Sequence, residues 1–246
     1  MSKSTEASNH LASTARAIGT IQARLVASPA RVTGPLARIT RVAVELLEAS
    51  QRATTLRPSP AETDAAFQAR LAAAGRKLES RADVYRDRLA DEVASVRREL
   101  HEAVARAADI RPRQTDSEVR QAIRALTPEQ RREIAYGLMA GEMPEVASAL
   151  FTLTPELASL TTGFQAAEIT AARSTYEAKR APAETELLVA LEDLAGDLPA
   201  VVGAATSVAT TLRSLTPVGF DQAVSAAEAA QRAFDEAMST PAGVAP

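Results

Sequence analysis

Apolar residues between Phe67 and Ala107 recur in steps of four, four and three: Phe67, Leu71, Ala74, Leu78, Ala82, Tyr85, Leu89, Val93, Val96, Leu100, Val104 and Ala107. Three such steps span eleven residues in three turns, about 3.67 per turn, close to the 3.6 of an unstrained α-helix. This hendecad stripe therefore runs almost straight along one helix face, where a heptad stripe would wind around it. Opposite charges sit one turn apart off the stripe, as in Arg88 with Glu92 and Glu102 with Arg106. Such pairs contribute only about 0.2–0.5 kcal/mol each and read as a solvated face. The pattern predicts one long helix over about residues 60–110, roughly 60 Å of it striped. A compact domain of this length would be only ~45 Å across, so an elongated helical bundle is expected. The stripe Phe67, Leu71, Leu78, Tyr85, Leu89, Val93, Val96, Leu100 and Val104 is its packing seam, against other helices, a sister copy, or both.

Local signals bound this helix. Ser59 as N-cap, Pro60 in the first position and Glu62 in the third form a capping box, and Asp64 favours the positive end of the helix dipole. Arg111-Pro112 ends the run, and Gly75 marks a candidate close crossing with a second helix. Upstream, Leu11, Ala15, Ile18, Ile21 and Leu25 share one helix face. Ser28-Pro29 and Gly34-Pro35 interrupt that helix, and a second follows with Leu36, Ile39, Ala43, Leu46 and Ala53 on its apolar side.

Downstream, Leu-Thr-Pro recurs at 126–128, 153–155 and 215–217. In the first two, Thr127 and Thr154 fit as N-caps and Glu129 and Glu156 as early negative charges. Short helices are expected at 128–140 and 144–152. A longer one should start at Pro155, with Leu157, Leu160, Phe164, Ala167 and Ala171 on its seam, and end or kink at Pro182. Helices at about 183–195 and 199–214, separated by Gly196 and Pro199, and an Ala-rich one over 220–238 complete the series. The expected division is an elongated region over 1–112, a more compact bundle over 113–240 and a tail at 241–246. One continuous bundle with prolines at its corners fits the same punctuation.

Composition agrees with an all-α chain. More than a fifth of the residues are Ala, only 10 are Gly, and aromatics are 3% with no Trp. Such a core brings helices close together but offers few large anchors, so long shared seams must supply the stability. The absence of Cys excludes disulfides, thiolate catalysis and Cys-based metal sites. The first eleven residues lack the apolar core of a secretory signal. Val146–Leu153 and Leu198–Leu212 are mildly apolar but too short for a span of about 20 apolar residues, so they read as buried bundle members. A soluble protein, cytoplasmic or part of a virion, is the expectation.

The net charge of −3 conceals a gradient: residues 1–58 carry 8 Lys and Arg against 3 Asp and Glu, whereas residues 183–246 carry 2 against 9. Arg16, Arg24, Arg31, Arg38 and Arg41 are candidate contacts to an anionic partner, including a nucleic-acid backbone. No aromatic precedes Phe67 to stack on bases, so such contact would not read sequence. Oppositely charged ends also suit head-to-tail self-association, or pairing within one fold.

Catalytic constellations are not legible. His10 and His101 are the only histidines, and without Cys they cannot make a usual zinc site. The residue three before His101 is Arg98, so the Glu-x-x-His pair of di-iron bundles is not written. The glycines are isolated, which rules out phosphate-cradling and dinucleotide fingerprints. Asp91 with Glu92, and Glu192 with Asp193, are adjacent on helices and point about 100° apart, so neither pair is an acid–base dyad. No catalytic, cofactor or metal residue is expected.

These readings converge on a non-enzymatic structural or assembly protein that associates with itself and with other protein subunits. A virion component such as a phage head, neck, scaffold or internal protein is its concrete form. The alternative is a helical adaptor or regulator binding one protein partner, or nucleic-acid backbone through the basic N-terminal region.

Overall fold

Alanine-rich sequence with proline and Ser/Thr punctuation folds as its propensities direct. The computed structural model describes residues 3–215, and among them there are ten α-helices and no strand. They are α1 (Lys3–Val26), α2 (Pro29–Val32), α3 (Leu36–Thr54), α4 (Asp64–Ala107), α5 (Asp116–Arg124), α6 (Pro128–Met139), α7 (Pro144–Phe151), α8 (Pro155–Thr162), α9 (Ala166–Arg180) and α10 (Pro182–Ser214). The third Leu-Thr-Pro tripeptide extends beyond the described residues; the helix expected at 220–238 and the tail at 241–246 lie wholly outside them.

The described residues fall into two compact units: one of residues 3–92 together with 194–215, the other Val93–Asp193. In the first unit α3 packs on α1 and α2. It buries Leu36, Ile39, Val42, Ala43, Leu46 and Leu47, more than one narrow stripe, as expected of a helix covered on several sides. Three polar residues of α3 are also buried: Ser50 donates to the Leu46 carbonyl and Thr54 to that of Gln51, while the Thr40 hydroxyl has no partner. Gly75 of α4 lies against α10. A Cβ there would sit 2.9 Å from Cγ of Arg213 and 3.0 Å from the Ala209 carbonyl oxygen. The close crossing expected at Gly75 is therefore present, and only a residue without a side chain allows it.

The second unit is a bundle of short helices in which α5 meets α7 and α8, and α9 meets α6 and α8. Its core joins Val104, Ala108, Ile123, Leu138, Leu150, Phe151, Ile169 and Tyr176. Tyr176 is fully buried, stands edge-on to Phe151 at 5.7 Å and donates to the Ala108 carbonyl at 3.4 Å. Helices this short leave a large share of their backbone groups without intrahelical partners. Thr127 and Thr154 cap the starts of α6 and α8 as expected. The carbonyl ends are served by arginines: Arg120 donates to Ala149, Arg173 to Phe151, and Arg131 to both Leu126 and Gly163.

Several boundaries differ from expectation. Helix α4 begins at Asp64 because Thr63 caps it, its hydroxyl accepting from the Ala66 N–H. Glu62 does accept from the Ser59 N–H, but this closes a separate turn one step earlier. Helix α5 has no counterpart among the predicted elements; only Val119 and Ile123 mark its apolar side, too few to register as a period. The single helix expected from Pro155 is two. Gly163 adopts φ 80° and ends α8, and Gln165 with Glu168 forms a new capping box for α9. Conversely, the two helices expected around Pro199 are one continuous helix, α10. An internal proline costs about 3 kcal/mol. Leu191, Leu194, Leu198, Val201 and Ala205 are buried on either side of it, each large side chain contributing about 1.5–3 kcal/mol, and burial prevails.

Candidate functional site

The stripe on α4 is buried where it was expected to pack. Leu71, Leu78, Tyr85, Leu89, Val93, Val96, Leu100 and Val104 are all buried, and Phe67 near the helix start is half-buried. Ala107 is exposed; the buried alanine is Ala108, because the last step is four residues and not three. Phe67 to Leu89 belong to the first unit and Val93 to Val104 to the second. The Tyr85 hydroxyl donates to Glu45 of α3 at 3.1 Å, and Gly75 meets α10, so the chain's own helices reach this face.

The basic N-terminal residues are substantially engaged within the fold. Asp197 of α10 holds both Arg24 at 2.8 Å and Arg31 at 2.7 Å, and the Arg31 and Asp197 side chains are only 12% and 16% exposed. Arg38 faces Glu92 at 3.6 Å. Arg16 donates from Nε to the Ala12 carbonyl, and Arg16 and Arg41 are both exposed. Part of the charge gradient is thus neutralised inside the first unit, where a residue of the acidic C-terminal quarter meets two arginines of the basic end. Exposed ion pairs are worth about 0–1 kcal/mol, but the enclosed Arg31–Asp197 pair is screened less, and removing one partner would strand the other.

The histidines stay apart. His10 hydrogen-bonds Ser207 at 3.3 Å on an exposed face, and His101 is exposed on α4. Among the described residues no group of three or more His, Asp or Glu is placed to hold a metal ion, and no helix is long and apolar enough to cross a membrane. Glu192 of α10 receives both Nε and a terminal nitrogen of Arg97, at 2.8 and 2.9 Å, and these hydrogen bonds hold its carboxyl below the ordinary glutamate range. Burial pushes the Tyr176 phenol up, away from any acid–base role at neutral pH.

One polar cluster was not legible in the sequence. After α4, Asp109 adopts φ 56°, and its carboxylate pairs with Arg111 at 3.1 Å and Arg113 at 2.8 Å. Its carbonyl accepts from the buried Ser148 hydroxyl, and the Arg113 N–H donates to Asp116. An open cavity of about 460 Å³ adjoins it, lined by Glu102, Ala105, Arg106, Asp109, Ile110 and Arg111. The cluster ties the end of α4 to α5 and α7. It is not fully satisfied: Nε of Arg113 and Oδ1 of Asp116 are buried without a hydrogen-bond partner.

A different feature stands out on the second unit. Leu157 and Leu160, one turn apart on α8, are 51% and 72% exposed. Together with Phe164, Ala167 and Ala171 they were expected to form a buried seam, but the turn at Gly163 separates them. Counting across that break does not follow one helix. Phe164, just past the turn, is buried as expected, and so are Ala158 and Thr162 of α8 and Ile169, Ala172 and Tyr176 of α9, whereas Ala167 and Ala171 are exposed. The two leucines of α8 are left facing solvent. Comparison with protein-family models, curated proteins and solved structures gives no match.

Proposed function

We propose that the protein works by association and not by catalysis, as a helical subunit of a larger protein assembly, of which a virion component is one form. The observation that carries this reading is the solvent-facing pair Leu157 and Leu160 on α8. Scattered apolar residues are ordinary on a surface, but two leucines one turn apart form a coherent helix face of the kind partner helices cover. The pairing of Arg24 and Arg31 with Asp197 supports a protein partner over nucleic acid, because Arg31 is enclosed and the shared carboxylate cancels one of the two positive charges. Light scattering across a concentration series tests the reading. A particle mass several times the 25.9 kDa of the chain is expected. A mass that stays at one chain over the whole range contradicts it and favours the adaptor reading, in which a single partner of another kind covers α8.

A further inference from the structure

We propose that the connection between α4 and α5 binds one internal water molecule, shared by Nε of Arg113 and Oδ1 of Asp116. Both atoms are buried without a protein partner. Arg113 commits its terminal nitrogens elsewhere, one 2.8 Å from Asp109 and the other 3.7 Å from the solvated Glu145. Its main-chain N–H donates to Oδ2 of Asp116 at 2.9 Å, which sets that carboxylate beside Arg113, and Asp116 is only 5% exposed. Buried polar atoms in folded proteins are bonded to protein or to ordered water, with few exceptions.

The chemistry of the two atoms selects the occupant. Nε carries a hydrogen and can only donate, whereas a carboxylate oxygen can only accept. An oxyanion would answer Nε but oppose Oδ1, and a metal cation would answer Oδ1 but oppose Nε. Asp109 and Asp116 balance Arg111 and Arg113, so a neutral molecule suffices. Neither Arg113 nor Asp116 lines the neighbouring cavity of about 460 Å³, which sets their site apart from that opening. A water that accepts from Nε and donates to Oδ1 meets every requirement, and internal waters characteristically make about three such bonds. It extends the polar network from Asp109 through Arg113 to Asp116, beside the Asp109 carbonyl that Ser148 of α7 holds. This inference is independent of association through α8. A high-resolution crystal structure of the full chain tests it. One water within hydrogen-bond distance of both atoms, about 2.7–3.2 Å from Nε, is expected; a protein group on either atom, or a different water on each, overturns the shared site. Arg113→Lys replaces Nε with a methylene while keeping a cation for Asp109. Arg111→Lys is the control, because Nε of Arg111 bonds Asp109 directly. Water-oxygen magnetic relaxation dispersion should lose one long-lived water in Arg113→Lys and none in the control, and equal counts in all three proteins overturn the proposal. Should Arg113→Lys fail to fold, the wild-type crystal structure decides alone.

Discussion

Replacing Gly75 by Ala sets two effects of opposite sign against each other. Alanine in a helix interior is favoured over glycine by about 0.8–1.0 kcal/mol, so on propensity alone the variant should be more stable. The added methyl would lie 3.0 Å from the Ala209 carbonyl oxygen and 2.9 Å from Cγ of Arg213. Real methyl groups do not come that close. The arginine can swing aside, but the carbonyl belongs to the backbone of α10, so relief requires the two helices to part. Overpacking of this kind costs about 1–3 kcal/mol. The clash should win, leaving Gly75→Ala less stable by about 1 kcal/mol. Gly203 of α10 is the control, because a Cβ there has nothing within 4 Å. Gly203→Ala should therefore stabilise by about 0.8–1.0 kcal/mol. Urea melts of the three proteins, followed by helical circular dichroism, read the difference as shifts in midpoint. If Gly75→Ala gains as much as Gly203→Ala, the close crossing is not a real constraint and the packing of α4 on α10 is wrong.

Other substitutions test neighbouring parts of the account. Thr40→Val removes a buried hydroxyl that has no partner while keeping the side chain's shape. It should raise stability by about 1 kcal/mol and the melting temperature by roughly 2–4 °C; a lower melting temperature would show that the hydroxyl is satisfied. Leu89→Ala should destabilise by about 2–5 kcal/mol, and the exposed Arg88→Ala by less than about 0.5, both read from denaturant midpoints. Equal losses would remove the stripe assignment. Glu192 has its folded pKa lowered by Arg97 from the ordinary 4.5. Its contribution is therefore present above the unfolded pKa and lost as pH falls through the folded value. Glu192→Gln should weaken the protein slightly at pH 7 and flatten the stability profile below about pH 4.5. An unchanged acid limb would show that the pair contributes nothing in solution.

What the sequence discloses of this fold depends on how long each signal runs. The stripe on α4 continues for eleven steps, so its one misassigned member, Ala107, lies at the end, where a single step decides. Thr127 and Thr154 are legible because an N-cap acts on atoms three residues away. Helix α5 is not, since nine residues hold barely two apolar contacts and its place is set by α7 and α8. Pro199 and Gly163 illustrate the same limit from both sides. At Pro199 tertiary burial overrides a strong local stop, and at Gly163 a local stop overrides an apolar period that looks continuous. The Asp109 cluster joins residues up to 39 positions apart through one backbone carbonyl and two arginines, and no spacing rule marks it. The leucines of α8 are plain in the sequence, but their exposure is not, because it depends on a left-handed glycine three residues beyond Leu160.

The central claim is association through α8, and Leu160→Lys addresses it most directly. The residue is 72% exposed, so the single chain loses little packing, and a cation near the end of α8 suits the helix dipole. Covering a leucine contributes about 1.5–3 kcal/mol, so burying a lysine in its place should weaken each contact at least tenfold. Sedimentation velocity on wild type and Leu160→Lys, with thermal melting as the check on folding, is the decisive measurement. The account predicts a multi-subunit wild-type particle and a lighter variant that keeps its helix content and, at matched dilution where both are single chains, its melting temperature. Identical sedimentation of the two proteins, whether both assemble or both remain single chains, would contradict it.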